Sequence, residues 1–169
     1  MTPLMASAQG RTTAAAEMLL DAGAKPNIQN TRGGTALGFS AWQGDVLTMR
    51  TLLERGADPN LAAHDGFTPL MAAAGRNHLH SMRLLLDHQA NPHKKTNDGF
   101  NALMVSAQES RTAVVRLLLA EGVAPDTRGE RGVTALILAS LCGNFEYQKR
   151  FDRPQRSETF HRYHSISLR

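Results

Sequence analysis

The stretch Asp65–His93 reads DGFTPLMAAAGRNHLHSMRLLLDHQANPH, and its pattern recurs along the chain at intervals of 33 residues. The recurrence is clearest in the triplet Thr68-Pro69-Leu70. Equivalent triplets lie one and two intervals before it and one and two intervals after it: Thr2-Pro3-Leu4, Thr35-Ala36-Leu37, Asn101-Ala102-Leu103 and Thr134-Ala135-Leu136. Five copies in one uninterrupted register predict a single supersecondary unit that is stacked along an axis.

Each unit is predicted to contain two helices. Thr68 suits the cap of the first helix, because its hydroxyl accepts hydrogen bonds from the free amides of the first turn, and Pro69 fits the first helical position. This helix should end near Asn77, since asparagine tolerates the left-handed conformation, and Gly44 occupies the matching place in the preceding copy. A leucine-rich second helix is predicted from about His78 to Asp87, and it is apolar enough for burial on two sides.

A turn and an extended finger are predicted after the second helix. Glycine follows that helix in three copies, and proline comes three residues later in four copies: Gly23, Gly56 and Gly122, then Pro26, Pro59, Pro92 and Pro125. Glycine adopts the left-handed conformation without strain, and proline prevents further helix. In the third copy Gln89 occupies the position of this glycine. A left-handed conformation of Gln89 should destabilise the fold by about 1–2 kcal/mol, so we expect Gln89→Gly to stabilise it. The dipeptides Asp65-Gly66 and Asp98-Gly99 favour a hairpin-like finger.

A helix, a turn, a second helix and a finger in 33 residues, opened by Thr-Pro-Leu, resemble the ankyrin repeat over residues 2–152. The resemblance implies an all-α fold, a solenoid of stacked helix-turn-helix units with β-hairpin-like fingers. We predict one repeat domain over residues 1–152, with repeats at about 1–31, 32–64, 65–97, 98–130 and 131–152. Residues 153–169 form a basic, aperiodic tail that is predicted to be disordered.

The two ends of the array depart from the repeat pattern. Met1 directly precedes Thr2, so the finger that should open the first copy is missing, and we expect the chain to be a fragment of a longer array. The alternative is that the polar residues of this copy make a sufficient cap: Gln9, Arg11, Thr12 and Thr13. In the fifth copy Arg150-Phe151-Asp152 replaces leucines, so we expect a polar last helix that closes the stack and ends before Pro154.

Composition limits the partners and the compartment. No apolar run is long enough for a membrane span, no secretory signal pattern opens the sequence, and Cys142 is the single cysteine. We therefore expect an intracellular protein, cytoplasmic or nuclear. The formal net charge of +4 lies wholly in Lys149–Arg169, so the repeats give no reason to expect a nucleic-acid or membrane partner beyond weak contact through the tail.

No residue pattern in the sequence predicts catalysis, a cofactor or a metal. His78 and His80 are two residues apart on a helix and point away from each other, and His161 and His164 lack further ligands, so solvated histidines are expected. The Gly33-Gly34 dipeptide belongs to a finger and lacks the remaining residues of a phosphate-binding loop. We predict a non-enzymatic protein without a small-molecule substrate.

The resemblance implies a concave binding face built from fingers and inner helices. It assigns partner contacts to Arg32, Trp42, Gln43, His64, Asp65, Phe67, Arg76, Asn97, Asp98, Phe100, Gln108 and Arg131. Trp42 is either a packing residue or a partner contact, and a place outside the core is suggested because a core position would not accept tryptophan and, one repeat later, Gly75. Phe67 and Phe100 are either partner contacts or packing between fingers. Trp42→Ala combined with Phe67→Ala is expected to weaken binding without unfolding the stack.

The predicted function is binding of an unidentified protein partner by a monomer. Two alternatives stay open, namely a targeting or regulatory part of a larger enzyme or signalling protein, and binding of an acidic surface by the tail. The resemblance also raises hydroxylation of the residue after each recurring proline, at Asn27, Asn60, His93 and Asp126. The simpler interpretation is that Asn27 and Asn60 brace the fingers.

Overall fold

A computed structural model describes residues 1–143, and no strand occurs within that range. The helices are α1 Pro3–Gln9, α2 Thr13–Asp21, α3 Ala36–Gln43, α4 Val46–Glu54, α5 Pro69–Gly75, α6 Leu79–Asp87, α7 Ala102–Gln108, α8 Thr112–Ala120 and α9 Ala135–Gly143, with a 3₁₀ turn at Glu130–Gly132. The all-α fold of repeated helix pairs is confirmed. The predicted last helix and tail, over 144–152 and 153–169, lie outside the described residues.

The first helix of each repeat begins at the predicted cap. The hydroxyls of Thr2, Thr35 and Thr68 accept hydrogen bonds from the backbone amides three residues later, at 3.2, 3.0 and 3.2 Å respectively. Asn101 replaces threonine in the fourth repeat, and its side-chain oxygen accepts the same bond from Met104 N at 2.9 Å. These short helices therefore begin at fixed points that recur every 33 residues.

Left-handed residues end the helices at the predicted positions. Asn77 has φ +62° and Gly44 has φ +69°, and both follow a first helix. After the second helix, Gln89 has φ +65°, which matches the positive φ of the glycines at 23, 56 and 122. Gln89 is therefore held in a conformation that costs energy for any residue with a Cβ atom.

The helices form two rows with the core between them. The inner row runs α1, α3, α5, α7 and α9, and each helix packs against the next one in the row. The outer helices α2, α4, α6 and α8 each pack on the inner helix of their own repeat. Leu52, Leu85 and Leu118 occupy one register position of the outer helices and are completely buried. Each helix pair thus buries its apolar faces against its neighbours, as a solenoid requires.

Adjacent fingers are joined by backbone hydrogen bonds. Each finger closes on itself, as where Ala63 N donates to Phe67 O at 2.9 Å. One backbone bond joins each of three pairs of adjacent fingers: His64 N donates to Arg32 O at 3.1 Å, Asn97 N to Asp65 O at 2.8 Å and Glu130 N to Asp98 O at 3.0 Å. A Cβ atom on Gly66, which has φ +83°, would lie 2.8 Å from Thr96 Cα, so glycine is needed for this close approach.

The residues after two recurring prolines brace neighbouring repeats. Asn27 donates from Nδ2 to Gly56 O at 2.9 Å and accepts from Asp58 N at 2.8 Å. Asn60 repeats both bonds with Gln89 O at 2.9 Å and Asn91 N at 2.7 Å. The expected bracing by Asn27 and Asn60 is confirmed, whereas their hydroxylation stays a prediction.

Candidate protein-interaction face

The three central inner helices, α3, α5 and α7, are almost closed to solvent along their length. Every residue of α5 is buried, as are Ala36–Trp42 of α3 and residues 102–107 of α7. Side chains that a partner could reach therefore lie at the two ends of these helices, where the fingers enter and where the turns leave. A helix of seven residues spans about 10 Å, which sets the separation of the two edges.

The edge at the fingers is here called the finger rim and consists of Arg32, His64, Asp65, Asn97, Asp98 and Phe100. Arg32, His64 and Asn97 are exposed, and the other three are half-buried. Asn97 also donates from Nδ2 to His64 O at 3.0 Å, which adds a side-chain bond to the backbone ladder. The finger rim combines polar, reachable side chains with a backbone that is fixed from repeat to repeat.

Two predicted contact residues lie in the core instead. Trp42 and Phe67 are each only 3% exposed. The expectation that Trp42 lies outside the core was wrong, because α3 packs against α5 and the Arg76 guanidinium covers the indole ring. Their burial argues against using the Trp42→Ala and Phe67→Ala double variant as a binding probe, since truncating a buried Trp or Phe costs about 3–5 kcal/mol each. For Phe67 the packing interpretation is the one that its burial supports.

The edge at the turns is here called the turn rim and consists of Arg11, Gln43, Arg76, Gln108 and Arg111. Arg76 Cζ lies 4.3 Å from the centroid of the Trp42 ring, a cation–π contact that joins the second and third repeats. Gln43 and Gln108 are half-buried at the ends of α3 and α7. Three of these five residues are cationic.

His78 connects two repeats beneath the turn rim. Its Nε2 lies 3.1 Å from the backbone oxygen of Trp42, and a Cβ atom on Gly44 would lie 2.6 Å from its Nδ1. Burial is the main cause that lowers the pKa of His78 below 6.5, and the charges of Arg76, Arg11 and Arg111 lower it further, against the raising effect of the Trp42 bond. The expectation of a solvated histidine was therefore wrong for His78, whereas His80 is exposed.

Arg11, His78 and Arg111 were not among the contact residues predicted from the sequence. The 33-residue register could have indicated the two arginines. Arg11 lies at the register position of the left-handed residues 44 and 77, and Arg111 follows that position by one residue in its own repeat. The side chain of the remaining predicted contact, Arg131, lies outside the described residues.

Residues 1–143 present neither a metal centre nor a membrane-spanning helix. No group of three or more His, Cys, Asp or Glu side chains in this range has the proximity to hold a metal ion. The helices of the same range are all too short, or too polar, to cross a bilayer.

Comparison with protein families identifies the repeat. The family model for ankyrin repeats (3 copies) matches residues 1–63 and, separately, residues 59–128. The two matches together cover about three quarters of the chain. No curated protein gives a significant match.

Proposed function

Because the chain belongs to the ankyrin-repeat family, whose repeats generally serve as protein-interaction modules, we propose that it is a non-enzymatic module that binds a partner protein. The proposed binding surface is the face between the finger rim and the turn rim. A partner that lies across this face contacts several repeats at once. An interface of ordinary size buries about 800 Å² on each partner, an area that three or four repeats offer.

The observation that carries the proposal is the hydrogen-bonded ladder between fingers. Its three links join Arg32 to His64, Asp65 to Asn97 and Asp98 to Glu130, so the exposed finger side chains are held in one row before a partner arrives. Binding therefore requires little ordering of this surface, and less of the interaction energy is lost to conformational entropy.

A pair of matched double variants tests the proposed face. Arg32→Ala with His64→Ala removes two exposed side chains from adjacent fingers, whereas Arg50→Ala with His80→Ala removes the same residue types from adjacent outer helices. A partner is first isolated on the immobilised chain and identified, and its affinity for each purified variant is then measured by calorimetry. We expect the finger variant to weaken binding by about tenfold and the outer variant to leave it within about twofold.

The reverse ranking would refute the proposed face. Urea denaturation of both variants serves as the control, because all four side chains are exposed and their removal should change stability by at most about 0.5 kcal/mol. A loss of affinity that follows the outer variant alone would move the binding surface to the outer helices.

We also propose that the protein acts as a monomer in a reducing compartment. Its single cysteine, Cys142, provides no internal disulfide. Light scattering across a range of concentrations tests the monomer, and a mass that rises with concentration would contradict it.

A further inference from the structure

The turn rim contains three arginines from three repeats. Arg11, Arg76 and Arg111 leave the turns of the first, third and fourth repeats, and the charge of each one acts on the same histidine, His78. The Arg76 guanidinium is positioned by the Trp42 ring at 4.3 Å. The three charges therefore lie around one histidine on this edge of the repeat stack.

None of the three arginines forms an ion pair within the described part of the chain, where the recorded salt bridge joins Arg55 to Asp21. Two carboxylates belong to the same turns of the repeat: Glu109, two residues before Arg111, and Asp45, at the register position of Arg111 in the second repeat. Asp45 is buried and bonded to Thr48, and Glu109 is half-buried at the end of α7. Arg111 Nε is buried and lacks a hydrogen-bond acceptor among the residues described, a state that normally calls for a partner.

The outer helices begin at the same edge, and their amino ends also favour anions. No side chain caps α2, α6 or α8, whose first residues follow Thr12, His78 and Arg111. Free amides and the helix dipole give each of these ends a partial positive charge. These ends add to the field of the three guanidinium groups.

The second repeat illustrates how a carboxylate fits this row. Asp45 occupies the register position of Thr12, His78 and Arg111, and its carboxylate accepts from Thr48 N at 3.3 Å and from Thr48 Oγ1 at 2.6 Å. Among the outer helices α2, α4, α6 and α8, only α4 has a side-chain cap, and the capping group is this carboxylate of the chain itself. At the same position the neighbouring ends carry no acid: α2 has Thr12, α6 has His78 and α8 has the cation Arg111.

We propose that the turn rim binds an acidic segment of the partner protein, with carboxylate side chains against Arg11, Arg76 and Arg111. This inference rests on the proposed function and specifies the partner's chemistry at one edge of the binding face. Packed helices lie about 8–10 Å apart. In an extended peptide, residues three positions apart are separated by a similar distance of about 10 Å. Acidic residues at every third position would therefore have the spacing of adjacent repeats. Two consecutive ones would face Arg76 and Arg111, and the one two places before that pair would face Arg11.

A labelled peptide of about twelve residues, made of repeated Glu-Gly-Ser, is the probe, and a Gln-Gly-Ser peptide is its neutral control. Binding is measured by fluorescence anisotropy at about 50 mM salt, where surface charges are weakly screened. We expect saturable binding of the glutamate peptide alone. The emission of Trp42, the one tryptophan of the chain, should change on binding because Arg76 lies over its ring.

Matched charge variants locate the binding. Arg11→Gln, Arg76→Gln and Arg111→Gln together remove three charges from the turn rim. Arg50→Gln, Arg83→Gln and Arg116→Gln remove the same number from the exposed face of α4, α6 and α8. The first triple variant should weaken binding at least about tenfold and the second less than about threefold, because screening limits the effect of distant charges. A double variant that keeps Arg76, and with it the cover of Trp42, serves if the first triple variant unfolds.

Several results would overturn the inference. These are no saturable binding of the glutamate peptide, equal losses in the two triple variants, or tighter binding of a DNA duplex through the same three arginines. None of these outcomes bears on the finger variant of Arg32 and His64, whose effect on the isolated partner tests the proposed function separately.

Discussion

Replacing Gln89 with glycine should raise the free energy of unfolding by about 1 kcal/mol. Gln89 has φ +65°, and three glycines at the equivalent position have φ of +77° to +86°. A left-handed residue with a Cβ atom costs about 1–2 kcal/mol, and the greater freedom of glycine in the unfolded chain returns about 0.5–1 kcal/mol. The backbone bonds of residue 89, with Leu86 O and Asn60 Nδ2, do not involve its side chain and are kept.

The magnitude depends on backbone strain and on the entropy of the unfolded chain, because steric clash is not limiting at this position. A Cβ atom added to Gly23, Gly56 or Gly122 would meet nothing within 4 Å. The matched control is therefore the reverse change, Gly56→Gln, which should lower the free energy of unfolding by a similar amount.

The assay is urea denaturation of the two variants and the parent chain, monitored by circular dichroism. In thermal unfolding of a chain of this length, a gain of 1 kcal/mol corresponds to a rise in Tm of about 2–4 °C. If Gln89→Gly leaves stability unchanged or lowers it while Gly56→Gln is destabilising, the positions are not equivalent and the reasoning from the register fails.

Three further predictions concern stability. Asn60→Ala removes two hydrogen bonds to the next repeat and should lower the free energy of unfolding, measured by urea denaturation, by about 1–2 kcal/mol. His93→Ala, at the same register position, should lower it by less than about 0.5 kcal/mol. Equal losses in the two variants would contradict the bracing role of Asn60. The pKa of His78 in the folded chain lies below its unfolded value of 6.5, so the unfolded chain takes up the proton first as the pH falls. The free energy of unfolding should therefore decrease as the pH drops below about 6.5. His78→Asn should flatten that part of the stability profile, and parallel profiles of variant and parent would contradict the role of His78. Leu85→Ala, at a completely buried position, should cost about 2–5 kcal/mol, and a change below about 1 kcal/mol would place Leu85 outside the core.

The sequence was sufficient for the fold because the repeat is encoded locally. A capping residue such as Thr68, a left-handed asparagine at 77 and a strained Gln89 act within a few residues of themselves, and each was found where the register placed it. The period then fixed the stacking, since helix pairs with apolar faces on two sides must pack against the next pair.

The binding face was less predictable because burial and clustering depend on neighbouring repeats. Trp42 was misplaced because its environment is completed by α5 and Arg76 of the following repeat. The arginines at 11, 76 and 111 fall at three different register positions, so no single column of the repeat alignment displays them together. Their shared proximity to His78 becomes apparent only when the repeats are stacked.

The most direct test of the account is hydroxyl-radical footprinting of the chain with and without its purified partner. The proposed face predicts lower oxidation of His64 and Phe100 in the complex. Met18 and Leu47, which are 73% and 67% exposed on the outer helices, should react equally in both states. Protection of Met18 and Leu47 with unchanged oxidation of His64 and Phe100 would contradict the central claim that the partner lies between the finger rim and the turn rim.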